Sequence, residues 1–280
     1  MSKQSFNLHS ATLWLLMFQL TAIAASGPWF VLMNLATTQV PHISDLQHSR
    51  HLSPTKLNSI RTIPLSIFTS YLSLTIFMAI PSSGQRALIS PAAQQVAVAA
   101  WNVFPLFMGL TQSLFPTILS LLPFPSISRQ TILSVLRTTY AFSFLLSSAF
   151  HIATLTTTLT PLMFPTLFAT STPSLFHPGS LFQLPMSLSQ VPSLGAGGLQ
   201  FMQWDMVVGF AAVLVPAVVR YERALKMVGR DVGLGVLGLQ VVAAIILLGP
   251  GGVLVGLRYL EDEALFDFEG SEEKKGRKKA

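Results

Sequence analysis

The chain has 280 residues, of which 51% are hydrophobic and only 10% charged, with a mean hydropathy of +0.58. A soluble globular chain is about a quarter charged, so this one cannot cover a water-facing surface and reads as a multi-pass membrane protein. The net charge of +6 would suggest a nucleic-acid partner in a soluble protein. Here the basic residues fall in short loops and the tail, where they set membrane orientation, and no nucleic acid is expected. The absence of cysteine excludes disulfides, thiolate metal sites and cysteine nucleophiles together.

Crossing a bilayer takes about 20 residues of helix. Six apolar segments meet that length, near residues 11–34, 63–80, 95–119, 139–159, 200–219 and 232–257. The expected fold is all-α, a polytopic transmembrane bundle of six or seven spans over residues 1–260, followed by a charged, disordered tail at 261–280. The first segment contains Ala22-Ile23-Ala24, which has the small-residue spacing of a signal-peptidase site. The apolar run continues through Trp29, Phe30 and Met33, which favours a retained signal-anchor helix. The 35–62 loop carries Arg50, Lys56 and Arg61, the 120–138 loop Arg129 and Arg137, and the 220–231 loop Arg220, Arg223, Lys226 and Arg230. The 81–94 loop has only Arg86 and the 160–199 connection has no Lys or Arg. Alternation therefore implies a lumenal N-terminus and cytoplasmic first, third and fifth loops, as in an endoplasmic-reticulum protein. The tail, EEKKGRKKA, looks cytoplasmic, yet six crossings leave it lumenal. A seventh crossing within residues 160–190 repairs the tail but upsets the loops before it.

The 160–199 connection is uncharged and rich in Ser, Thr, Pro and Phe, and its prolines argue against one regular helix. It reads either as a poorly ordered lumenal loop or as a re-entrant or surface-lying lid over a membrane cavity. The last segment holds Gly249-Pro250-Gly251-Gly252, which should break or kink it.

Several motifs fail on context. Gly233-Leu234-Gly235-Val236-Leu237-Gly238 is a literal GxGxxG, but it lies inside an apolar span with no preceding strand, and reads as small-residue helix packing. The acidic run EDEALFDFE at 261–269 lacks the NDxxD pattern of magnesium-dependent prenyltransferases and reads as solvated tail. No metal or cofactor is expected. Asp231 suits a helix N-cap, and Glu222 can pair with Lys226 one turn on.

Asp205 and His151 are the ionisable residues well inside predicted spans. An intramembrane carboxylate costs on the order of several kcal/mol, less near the interface. Asp205 is roughly 7–9 Å into its helix by the helical rise, below the headgroups but short of the midplane. A first-turns carboxylate stabilised by the helix dipole is the plain reading. Its face also holds Phe201, Met202, Val208, Gly209, Ala212 and Pro216, and the small residues direct it toward other helices. By the predicted topology Asp205, His151, Trp101, Asn102 and Gln203 share one leaflet depth. For His151 alone, a ring bonded to a backbone carbonyl is the simpler expectation.

Desolvation disfavours the charged form of a buried carboxyl group. A neutral acid among aromatic walls suits protonation of an alkene or epoxide, with Trp101, Trp204, Phe104 or Tyr71 steadying the cation. The same residues serve equally well in a proton relay or a permease, or the chain is an assembly subunit. A resemblance weighs on this choice. IPLSIFTSYLSLTIFMAIPSSGQRALISPAAQQVAVAAWNVFPLF, at 63–107, resembles the proline-bounded second helix, SP-containing loop and WxxFP-bearing third helix of the fungal integral-membrane terpene cyclases of meroterpenoid biosynthesis, of the ascochlorin and macrophorin type. Gln203-Trp204-Asp205, followed by Gly209-Phe210-Ala211-Ala212, resembles a further signature of that group. The resemblance implies a cyclase acting on a farnesyl chain attached to an aromatic or polyketide core. It implies Asp205 as proton donor and a pocket lined by Trp101 and Trp204; the shared depth adds Asn102, His151 and Gln203, and the aromatic ring adds Phe104, as further substrate-binding candidates. The partners implied are the bilayer and a hydrophobic prenylated substrate.

Overall fold

The computed structural model describes residues 8–37, 54–84, 86–122, 128–167, 177–186 and 193–279. Among them every regular element is helical. In chain order these are α1 (Leu8–Thr21), α2 (Ile23–Thr37), α3 (Pro54–Ile67), a π turn (Phe68–Leu72), α4 (Ser73–Ala79), α5 (Pro91–Asn102) and α6 (Phe104–Ser120). There follow α7 (Arg129–Met163), a short 3₁₀ turn, α8 (Pro178–Phe182), α9 (Leu194–Met227) and α10 (Leu234–Lys279). They form two compact units, the first of residues 1–22 and 40–139, the second of residues 23–39 and 140–280.

By length and composition, four helical stretches can cross a membrane: Pro54–Ala79, Gln130–Met163, Leu194–Met227 and Leu234–Phe266. A fifth is the pair α5–α6, bent by 66°. The first predicted segment does not form one span. It breaks at Ala22, whose φ of 71° is left-handed, into two shorter helices.

In the first unit, Asn58, Thr62, Ser66 and Ser70 recur at every fourth position of α3 and the π turn, and all are buried. Polar groups out of water must find partners. Ser66 meets Gln112 at 2.9 Å and Ser70 meets Thr111 at 3.0 Å, both on α6. Thr62 bonds back to the carbonyl of Asn58 at 3.0 Å. Pro64 lacks the N–H that would bond the Ile60 carbonyl, and the Thr139 hydroxyl donates to that carbonyl instead, at 3.3 Å. Gly109 admits α1, since a Cβ there would stand 2.8 Å from Thr12 Oγ1.

In the second unit, α9 and α10 share a core of Leu214, Ala217, Val241, Val253 and Leu257. The outer face of α10 presents Leu239, Val242, Ile246 and Leu247, each more than half exposed, the surface a lipid-facing helix needs. Gly251 packs against Phe210 of α9 and Ser147 of α7, and Glu261 bonds Arg220 of α9. From 251 to 261, therefore, α10 runs parallel to α9. If α10 were straight, that register would set Leu234 beside residue 193, about 50 Å from Met227 at 1.5 Å per residue. The connection from 227 to 234 reaches at most about 25 Å. Residues 234–248 must instead run antiparallel to α9, and the chain doubles back at Gly249, whose φ is 77° and ψ 158°. The expected break at Gly249-Pro250 is thus a reversal, and 232–257 is not one straight crossing. It returns the following residues to the end where α9 finishes, without a seventh span in residues 160–190.

Three smaller expectations change. A Cβ on Gly233, Gly235 or Gly238 would meet nothing within 4 Å, so the GxGxxG glycines are not packing contacts; Gly249 and Gly251 are. α10 begins at Leu234, two residues past the position an Asp231 cap requires. Glu261 is 6% exposed, held by Arg220 at 3.0 Å and Arg258 at 2.9 Å. Asp262 accepts from the Tyr140 hydroxyl at 2.6 Å, so the acidic run starts inside the bundle rather than in solvent. The Glu222–Lys226 pair forms as expected.

Candidate functional site

Asp205 lies on α9 one turn before Gly209. A Cβ at Gly209 would stand 2.5 Å from Ile23 Cγ2, so glycine lets the first turn of α2 come against α9. The break at Ala22 leaves that turn's N–H groups without helical acceptors. The Ala24 N–H donates to Asp205 Oδ1 at 2.6 Å. The carboxyl group is half-buried, and its other oxygen has no hydrogen-bond partner among the described residues. The small-residue face thus packs as expected, although Phe201 and Met202 on it are exposed. Ala22-Ile23-Ala24, which has the look of a cleavage site, is the helix start that grips Asp205.

Gln203 and Trp204 face elsewhere. The Gln203 amide nitrogen lies 3.0 Å from the carbonyl of Ser180, 2.9 Å from that of Leu181 and 3.3 Å from that of Gln183. These carbonyls belong to the end of α8 and the residue after it, where a short helix leaves C=O groups for side chains to meet. The Trp204 indole N–H donates to the Pro185 carbonyl at 3.2 Å. Residues 177–186 are therefore a strap latched to α9 by two adjacent side chains. The remainder of the uncharged connection, 168–176 and 187–192, lies outside the described residues.

His151 meets the reversal of α10. Residue 250 of a continuous helix would bond the Ile246 carbonyl, but proline has no N–H. His151 Nε2 sits 3.0 Å from that carbonyl, and a carbonyl only accepts, so Nε2 carries the hydrogen. A Cβ on residue 249 would come within 2.7 Å of His151 Cβ and Cγ. Both the close approach and the left-handed φ require glycine. Phe182 of the strap stands edge-on to the imidazole, ring centroids 6.4 Å apart.

Trp101, Asn102 and Phe104 belong to the first unit. Pro105 and the 66° bend bring the Trp101 and Phe104 rings to 6.0 Å. Tyr71, on the π turn, completes the cluster at 5.0 Å from Phe104 and 6.1 Å from Trp101. The Trp101 indole donates to Thr75 Oγ1 at 3.1 Å, an anchor the sequence reading missed. Asn102 Nδ2 donates to the carbonyl of Val98 in its own helix, at 2.9 Å.

The CtvD domain model matches residues 2–266. The chain belongs to the CtvD-domain family. Terpene cyclase ctvD of Aspergillus terreus is 28% identical over 261 residues, covering 91% of this chain and 68% of that protein. Terpene cyclase ascI of Acremonium egyptiacum is 23% identical over 269 residues, 95% of this chain and 66% of its own length. Terpene cyclase janA of Penicillium janthinellum is 28% identical over 191 residues, 68% of this chain and 48% of its own. The chain thus spans about two thirds of the length of the first two relatives and about half that of the third. No solved structure matches. Within this CtvD-domain chain, the signals that sequence reading missed are local ones. Proline at 250 points four residues back to a bare carbonyl, and a break at 22 points forward to bare amides.

Proposed function

We propose that the chain is a membrane-bound terpene cyclase, resident in the endoplasmic reticulum, that closes a farnesyl chain on an aromatic or polyketide core by protonating a terminal alkene or epoxide. The carrying observation is the family match over residues 2–266, with relatives named terpene cyclases. Asp205 is the proposed acid. Its Oδ1 is engaged as an acceptor by Ala24, so a neutral carboxyl group there bears its hydrogen on Oδ2. Transfer of that proton to the terminal alkene carbon leaves a tertiary cation, and the next π pair closes a ring onto it. Loss of a proton from the last cation restores the balance, so substrate and product are isomers. Aromatic faces stabilise such cations. Trp204 is proposed for this role in the second unit. The Tyr71–Trp101–Phe104 cluster is proposed separately, on the first unit's own geometry, to contact prenyl carbons. Gln203 and Asn102 have their amide hydrogens engaged within the protein and are given positioning roles.

The hydrogen bond to Ala24 also favours a second reading, in which Asp205 only caps α2. Asp205→Asn separates them, because asparagine keeps an oxygen for Ala24 but has no acidic proton. Membranes containing the protein are given a farnesylated phenol or its terminal epoxide, and a cyclic isomer of unchanged mass is sought. The variant should stay in the membrane with its yield at least about a hundredfold lower. An undiminished yield removes Asp205 from the chemistry.

A further inference from the structure

We propose that His151 is the base that ends the reaction, its Nδ1 taking the proton released as the last cation collapses to an alkene. The proposal rests on the cyclase reading above and names the second half of its proton traffic.

Pro250 cannot donate to the Ile246 carbonyl, and His151 Nε2 fills the gap at 3.0 Å. That bond fixes the tautomer, as a partner on one ring nitrogen sets the state of the other. Nδ1 is left with a lone pair and no hydrogen-bond partner among the described residues. A side chain at position 249 would put a Cβ 3.0 Å from Nδ1, and glycine keeps that space open. A hydroxyl would satisfy the Ile246 carbonyl equally well; only histidine adds a basic nitrogen.

Asp205 and His151 also agree in depth. Phe210 and Ser147 both pack on Gly251. Asp205 lies five residues before Phe210 on α9, about 7.5 Å along the axis, and His151 four residues after Ser147 on α7, about 6 Å. α7 pairs His151 with Gly249 and Phe144 with Gly256, antiparallel to the returning arm of α10, which itself runs parallel to α9. The two displacements therefore point the same way, and the carboxyl and imidazole groups occupy one level of the second unit.

The charges agree as well. An acid that has given up its proton is negative, and Asp205 is then held by the first-turn N–H of α2. A base that has taken a proton is positive, and His151 then lies on a last-turn carbonyl of residues 234–248. Helix N-termini favour negative charge and C-termini positive charge. Each group thus has the helix end that suits the charge it acquires. The proton leaves a carbon adjacent to the cation for Nδ1, the C–H pair becomes the new double bond, and both residues return to their starting forms by exchange with water.

His151→Gln tests this, since its amide N–H still reaches the Ile246 carbonyl but accepts no proton at the position of Nδ1. With the farnesylated phenol, the variant should consume substrate, while the share of product with the wild-type double bond falls at least about tenfold. Other alkene isomers and alcohols from water capture replace it. An unchanged product pattern overturns the proposal, as does ¹⁵N-histidine NMR showing the hydrogen of His151 on Nδ1. A variant that consumes no substrate overturns it too, by placing His151 in the first proton transfer or in folding. If wild-type protein makes no cyclic isomer, the cyclase reading fails instead, and this inference with it.

Discussion

Pro64 and Pro250 each leave one carbonyl of an apolar helix without its donor, and the two regions answer differently. At Ile60 the partner is the Thr139 hydroxyl, at 3.3 Å, which also bonds its own helix through the Val135 carbonyl at 3.0 Å. At Ile246 it is the His151 imidazole, at 3.0 Å. A threonine hydroxyl can bond a carbonyl of its own helix and asks nothing more of its surroundings. An imidazole is larger, forces glycine at 249 and brings a second nitrogen that the carbonyl does not use. The first pairing has the economy of a packing device; the second carries chemistry beyond what packing needs.

Three substitutions press on this contrast. Gly249→Ala should have the largest effect. Its methyl group meets His151 Cβ and Cγ at 2.7 Å, an overpacking cost of about 1–3 kcal/mol, with about 1 kcal/mol more for the left-handed φ. The thermal midpoint of detergent-purified protein should drop by several degrees, and an unchanged midpoint would mean the contact between Gly249 and His151 is not tight. Thr139→Val comes next, costing about 1 kcal/mol for the lost hydrogen bond and leaving the product pattern alone. A changed pattern there would erase the distinction between the two prolines. Ala22→Gly is the smallest. Glycine at a φ of 71° relieves strain, gaining about 0.5–1 kcal/mol, and a lower midpoint would show that Ala22 holds the break by more than its backbone.

Most of the helical layout was legible, because long apolar runs bounded by proline and glycine admit few alternatives in lipid. The bend after Trp101 announces itself in Pro105, and the break at 249 in Gly-Pro. Ala22 gives no such signal. Alanine is a strong helix former, and the acceptor that meets the amides freed by the break, Asp205, lies 181 residues beyond Ala24. The same distance hid the grip on Asp205, although Gly209 on its face was a correct sign of close packing. Gly233, Gly235 and Gly238 misled for the opposite reason: spacing marks small residues, but not whether anything comes near them. Glu261 and Asp262 misled too, since a run of acids looks solvated until the arginine and tyrosine that hold it are found on α7 and α9.

The reversal at Gly249 also bears on how such chains are counted. A hydropathy tally scores the last apolar stretch as one traverse and flips the assigned side of everything after it. Because the arms before and after Gly249 run in opposite directions, the two ends of this stretch lie toward the same end of α9. A protease site or tag placed after Glu261 or in the α9–α10 connection should then report the same compartment.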